Sequence, residues 1–188
     1  MVIDNIFICT GTASLLIYEM AFSLSSIDQL YYTVTQITTH HYAEDGKVND
    51  RPLDKGTGFF YRNLSTRYLF LITNRHVVVS EHIAHVARIR LHSNEEDLRE
   101  NEYYDLHLYD EKGRKKWIEP NPIAADIVAI PLEYEFQRKG FHIRNFNAVN
   151  LLPNNIRLHV GEDVIVMGYP LGIFDDTHNL PISRNGII

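Results

Sequence analysis

Cysteine is almost absent from this chain: Cys9 is the single one among 188 residues. No internal disulfide can form, which excludes an oxidised, cross-linked framework, and CxxC and paired Cys/His zinc spacings are missing too. Positive charge is also scarce. The 18 Lys and Arg residues stand against 24 Asp and Glu, a net charge of −6. That balance argues against nucleic acid as a partner, because phosphate binding needs a basic surface. No Lys or Arg precedes Lys47, so the apolar run Ile6 to Leu24 lacks the basic flank of a secretory signal. Asp4 and Glu19 place negative charge there instead, and Glu19 with the small polar residues makes a poor spanning helix. The expectation is a soluble, cytoplasmic protein with no membrane partner, in which residues 1–27 form a weak helix or irregular leader. Repeats, low-complexity tracts and heptads are missing. Neither Gly56-Thr57-Gly58 nor the pair Gly168 and Gly172 carries the Lys-Ser/Thr of a phosphate loop. No cofactor is expected.

What is present is a chain with 45% hydrophobic residues, long enough to bury a core in one or two compact units. Its apolar residues fall in short runs separated by turn signals. Leu30 to Thr39 is rich in β-branched and aromatic residues; His40 to Lys55 is polar, with Gly46 and Pro52, and reads as a loop. Phe59 to Tyr61 and Tyr68 to Thr73 are strands about the polar turn Arg62 to Ser65, and Val77 to His82 suits a turn of helix. Ile83 to Leu91 alternates as a strand does. Tyr103 to Tyr109 and Arg114 to Ile118 flank a turn at Asp110 to Gly113. Ile127 to Leu132, Val164 to Met167 and Leu180 to Ile188 complete the series. Many short strands with turns between them give an all-β fold class. The boundary between two units falls within the connecting segment 133–150, giving units at 28–140 and 141–188.

Two residues stand out for chemistry. His76 sits in Thr73-Asn74-Arg75-His76, a polar break between apolar runs, where a sheet edge presents a side chain. Asp126 follows Ala124-Ala125 and immediately precedes IVAIPL, a setting that buries part of its carboxylate. A buried carboxylate needs a partner, and a histidine N–H is a good one. The plainer readings are a core histidine and a turn cap at a strand start. His82 and His85, with His40 and His41, are the remaining histidine grouping. His-x-x-His on a strand sends the two rings to opposite faces, so no shared metal site is expected.

The stretch GTGFF followed by YLFLITNRHVV resembles the region around the catalytic histidine of trypsin-like serine peptidases, particularly the disulfide-poor bacterial ones. ADIVAIPL resembles the aspartate motif of the same family. VGEDVIVMGYPLG, Val160 to Gly172, looks like the strand and turn that opens its second barrel. The three occur in the family's order. The resemblance implies a double β-barrel, with His76 as general base, Asp126 as its orienting carboxylate, and a peptide or protein substrate. The nucleophile that order requires is a serine followed by glycine, after the second-barrel motif. None of the eight serines is followed by glycine. Ser183 lies in a strand-like setting, Ser80 stands too near His76, and Cys9 precedes His76, against the family order. The expectation is therefore the N-terminal portion of a peptidase, with the first barrel complete, the second truncated, and no activity by itself. The alternative is a non-catalytic interaction module on the same fold, its His/Asp pair a relic.

Overall fold

The computed structural model of this protein describes residues 5–10, 13–18, 29–79, 83–120, 125–151 and 159–188. Ten strands run in chain order through them: β1 (Asn5–Thr10), β2 (Ala13–Tyr18), β3 (Val34–His40), β4 (Asp54–Arg62), β5 (Leu69–Thr73), β6 (Val86–His92), β7 (Asn101–His107), β8 (Val128–Leu132), β9 (Asp163–Gly168) and β10 (Ile182–Ile187). Two short helices, α1 (Arg75–Val78) and α2 (Tyr134–Arg138), interrupt them. The fold class is all-β. Six strands form one curled antiparallel half-barrel in the order β7-β6-β3-β4-β5-β8, and four form a second sheet in the order β10-β9-β1-β2. Ser80, His82 and the run 121–124 lie outside the described residues.

The β4–β5 hairpin shows how local sequence sets this geometry. Asn63 folds the turn by accepting the N–H groups of Ser65 and Thr66 on its side-chain oxygen, both at 3.0 Å. Phe60 then pairs with Leu71 and Gly58 with Thr73. On the other side of β5, Leu71 pairs with Ile130 and Thr73 with Val128. That antiparallel register carries the end of β5 alongside the residues just before β8. His76 and Asp126, distant in the chain, are therefore delivered to the same end of the sheet.

Side chains inside the curl form the main core: Ile37, Phe60, Leu69, Leu71, Ile89, Leu108, Val128 and Ile130 are all buried there with Phe136 of α2. Each such aliphatic side chain contributes roughly 1.5–3 kcal/mol on burial. The curl is tight where β4 crosses the core. A Cβ on Gly58 would lie 2.6 Å from Ile37 Cδ1 and 2.8 Å from Leu71 Cδ1, and one on Gly56 would lie 2.6 Å from Val77 Cγ2. Both glycines thus lie directly against packed side chains. Gly58→Ala is expected to destabilise the fold by about 1–3 kcal/mol through overpacking. Urea denaturation measures this, and an unchanged midpoint would show that the neighbours yield freely.

The edges of the curled sheet are linked after β7. Lys116 N–H donates to the Leu108 carbonyl, and Ile118 exchanges both backbone hydrogen bonds with Ala129 of β8. The outer face of β3 and β4 is covered as well: Val34 and Phe59 pack there with Leu30, Phe146, Met167 and Tyr169. Hence β4 buries both of its faces from Thr57 to Phe60.

The second sheet departs from the expectation for the N-terminal segment. In place of a weak helix, β1 and β2 form an antiparallel pair, Asn5 opposite Tyr18. β1 then lies parallel to β9, Ile6 opposite Ile165. Pairing with a strand from the far end of the sequence settles the conformation of a run with no clear period of its own. No described helix is long and apolar enough to cross a membrane.

Candidate active site

Asn74 ends the extended chain, and α1 begins behind it. The first N–H groups of a helix have no partner within it. Here the Asp126 carboxylate meets one of them: Oδ1 accepts the His76 backbone N–H at 2.9 Å. Its other oxygen, Oδ2, stands 2.5 Å from His76 Nδ1. Asn74, only 1% exposed, donates from Nδ2 to Asp126 Oδ2 at 3.2 Å and to the Asp126 carbonyl at 3.0 Å. An ionised carboxylate only accepts, so the neutral ring carries its proton on Nδ1 and its lone pair on Nε2. Arg75 turns away and pairs with Glu119 at 3.2 Å. The His76 side chain is 51% exposed and that of Asp126 31%. The imidazole is accordingly fixed on one side and open on the other.

The open side faces a cleft of about 400 Å³ between the half-barrel and the second sheet. Lys55 and Thr57 of β4, His76 and Val77 of α1, Val166 of β9, and Ile182 and Arg184 of β10 line it, along with the turn Tyr169 to Leu171. Thr57 ties the two sheets together. Its hydroxyl accepts the Tyr169 backbone N–H at 2.8 Å, while its carbonyl accepts the Thr73 hydroxyl at 2.9 Å. Tyr169 is buried, which pushes its phenol pKa up, and its hydroxyl donates to the Asn179 carbonyl at 3.0 Å. Leu171 and Gly172 both take positive φ, 55° and 71°, to complete the tight turn beside the cleft.

Among the described residues, no serine stands at His76 Nε2. Ser183 lies on β10 between Ile182 and Arg184, and strand alternation turns it to the face opposite theirs. Ser65 belongs to the β4–β5 turn, at the far end of β5 from His76. No match to this chain is found among protein-family models, curated proteins or solved structures. The site therefore rests on its own geometry.

Sequence reading found the pair at the centre and missed what surrounds it. Asn74 carried a signal, since it shares the polar break with His76. Lys55, Tyr169 and Arg184 come from three separate stretches that only the packing of the sheets brings together. His40 and His85 sit in structural contacts. His40 bonds the Asn49 carbonyl through Nδ1 at 2.7 Å and the Thr38 hydroxyl through Nε2 at 2.8 Å. The rings of Tyr42 and His85 lie 5.4 Å apart. No group of three or more His, Cys, Asp or Glu among the described residues is placed to hold a metal ion.

Burial gives three histidines a measurable role in stability. His40, His92 and His142 each have their pKa lowered from 6.5, with desolvation as the leading cause. His92 is 4% exposed, its ring edge-on to Tyr32 at 5.2 Å. Below pH 6.5 the unfolded chain takes up protons that these folded sites resist. Their contribution is complete above that pH and is lost as pH falls through the lowered folded values. Tm is expected to decline on acidification from pH 7.5 to pH 5, and His92→Phe to flatten that decline. An identical pH profile in the variant would assign the loss to other groups.

Proposed function

We propose that this chain carries the general-base half of a trypsin-like serine peptidase. On this reading the curled six-strand sheet is the first barrel of a double-barrel fold, and β9 and β10 begin the second. The observation that carries the proposal is the 2.5 Å contact between Asp126 Oδ2 and His76 Nδ1, with the opposite ring nitrogen presented to a cleft. A hydroxyl is a weak nucleophile until an imidazole takes its proton. His76 Nε2 accepts that proton as the oxygen attacks the peptide carbonyl, then returns it to the departing amine. Asp126 holds the ring in the tautomer this needs and stabilises the imidazolium formed in between. Peptide bonds are the substrate class, and the chemistry requires no cofactor. On this reading the nucleophile comes from outside the described residues, none of which sets a serine against His76 Nε2.

The test is to read the source gene past the codon for Ile188, express its whole product and treat it with a fluorophosphonate probe. Labelling of a serine in that product, abolished by His76→Ala, is the expected result, with residues 1–188 alone remaining unlabelled. Strong labelling or hydrolysis by residues 1–188 alone, lost on His76→Ala, would place the nucleophile within them. A whole product that never labels would favour the second reading, a non-catalytic interaction module. What speaks for that reading is that His76 Nε2 is hydrogen-bonded to no hydroxyl among the described residues.

A further inference from the structure

We infer that the cleft beside His76 binds an extended peptide through an acidic side chain, whose carboxylate is held by Lys55 and Arg184. The inference rests on the peptide-substrate reading above and narrows it to acidic segments. Lys55 and Arg184 lie on β4 and β10, on opposite sheets, yet both line the same cleft. Both are exposed, and neither forms an ion pair with a carboxylate among the described residues. That sets them apart from cations nearby: Arg75 is paired with Glu119, Arg88 with Asp105 and Arg90 with Asp176. No Asp or Glu is among the described residues lining the cleft, although acidic residues outnumber basic ones in the whole chain.

The Lys55 side chain is led into place by its surroundings. Its Nζ is 3.4 Å from where a Cβ on Gly172 would stand, so the ammonium lies over a residue that offers no side chain to cover it. Val77, Val166 and Ile182 add apolar lining to the same cleft. A carboxylate bracketed by two cations beside apolar walls gains charge-assisted hydrogen bonds in a partly desolvated setting. A basic side chain in the same place would meet two like charges. Charge complementarity therefore selects Asp or Glu among peptide side chains, and the repulsion strengthens the selection.

Fluorescence anisotropy with labelled hexapeptides, N-acetylated and C-amidated, tests this on residues 1–188. One peptide carries a central Glu and its twin a central Gln. The Glu peptide is expected to bind about tenfold tighter, the scale of one hydrogen bond to a charged group. That preference should vanish in the Lys55→Gln/Arg184→Gln double variant, whose fold is checked by its amide NMR spectrum. Equal affinity of the twins would overturn the acidic preference while leaving the peptidase reading intact. So would tighter binding of a Gln peptide with a free C-terminus than of either amidated twin, because the anion recognised would then be a chain end. Binding of no peptide also overturns the inference, and the peptidase reading is then decided independently by fluorophosphonate labelling of the whole gene product.

Discussion

Asp126→Asn is expected to lower turnover in the proposed peptidase reaction on the order of 10⁴-fold, with the backbone around α1 kept in place. The substituted amide is isosteric. Its carbonyl oxygen can still accept the His76 backbone N–H, which Oδ1 now accepts at 2.9 Å. What changes is the atom facing His76 Nδ1. An amide NH₂ there donates, so Nδ1 must accept and the ring proton moves to Nε2. A protonated Nε2 cannot take the proton of a hydroxyl. Residues 1–188 suffice for the first measurement: ¹⁵N NMR of the histidine rings should show the proton of His76 on Nδ1 in the parent and on Nε2 in the variant. A tautomer unchanged by the substitution would remove Asp126 from the orienting role. Asp126→Ala would be a blunter probe, since it also removes the acceptor of the His76 backbone N–H.

Phe60→Ala carries the largest expected cost to the fold itself, about 3–5 kcal/mol. Phe60 is 1% exposed and stacks on Phe136 with ring centroids 6.3 Å apart. Phe136 is in turn the buried residue of α2 and meets Tyr104 at 5.0 Å and Phe141 at 5.7 Å. Removing the Phe60 ring opens a void at the base of this aromatic group, and α2 has no other buried residue with which to hold its place. A domain is stable by only about 5–15 kcal/mol in total, so the variant is expected to unfold at much lower urea concentration. Hydrogen exchange should accelerate first around residues 134–141. Retained protection there would show that α2 is held by something other than Phe136.

The strands were legible because their apolar runs are short, β-branched and cut by turn chemistry such as that of Asn63. His76 and Asp126 were legible because each is a polar residue abutting an apolar strand. Their meeting depends on the register of β5 against β8, which local sequence does not state. The N-terminal strands β1 and β2 were illegible because an apolar run without period fits helix or strand equally, and the parallel partner of β1, β9, is remote in the chain. Lys55 and Arg184 read as ordinary surface charges for the same reason: each is unremarkable until the sheets bring them to one cleft. The strand expected from Leu30 begins only at Val34, because Tyr31–Thr33 makes a 3₁₀ turn first, with the Thr33 hydroxyl donating to the Leu30 carbonyl at 2.6 Å.

Thr57 has a mechanical consequence. Its carbonyl is bonded to Thr73, three residues before His76, and its hydroxyl to the backbone of Tyr169. Translation of one sheet past the other would have to break the second bond or drag β4 with it, and β4 is anchored on both faces. Arg90 of β6 adds further ties, to the Asp176 carboxylate and, through its carbonyl, to Asn179 Nδ2, so the wall of the cleft opposite the imidazole is held at more than one point.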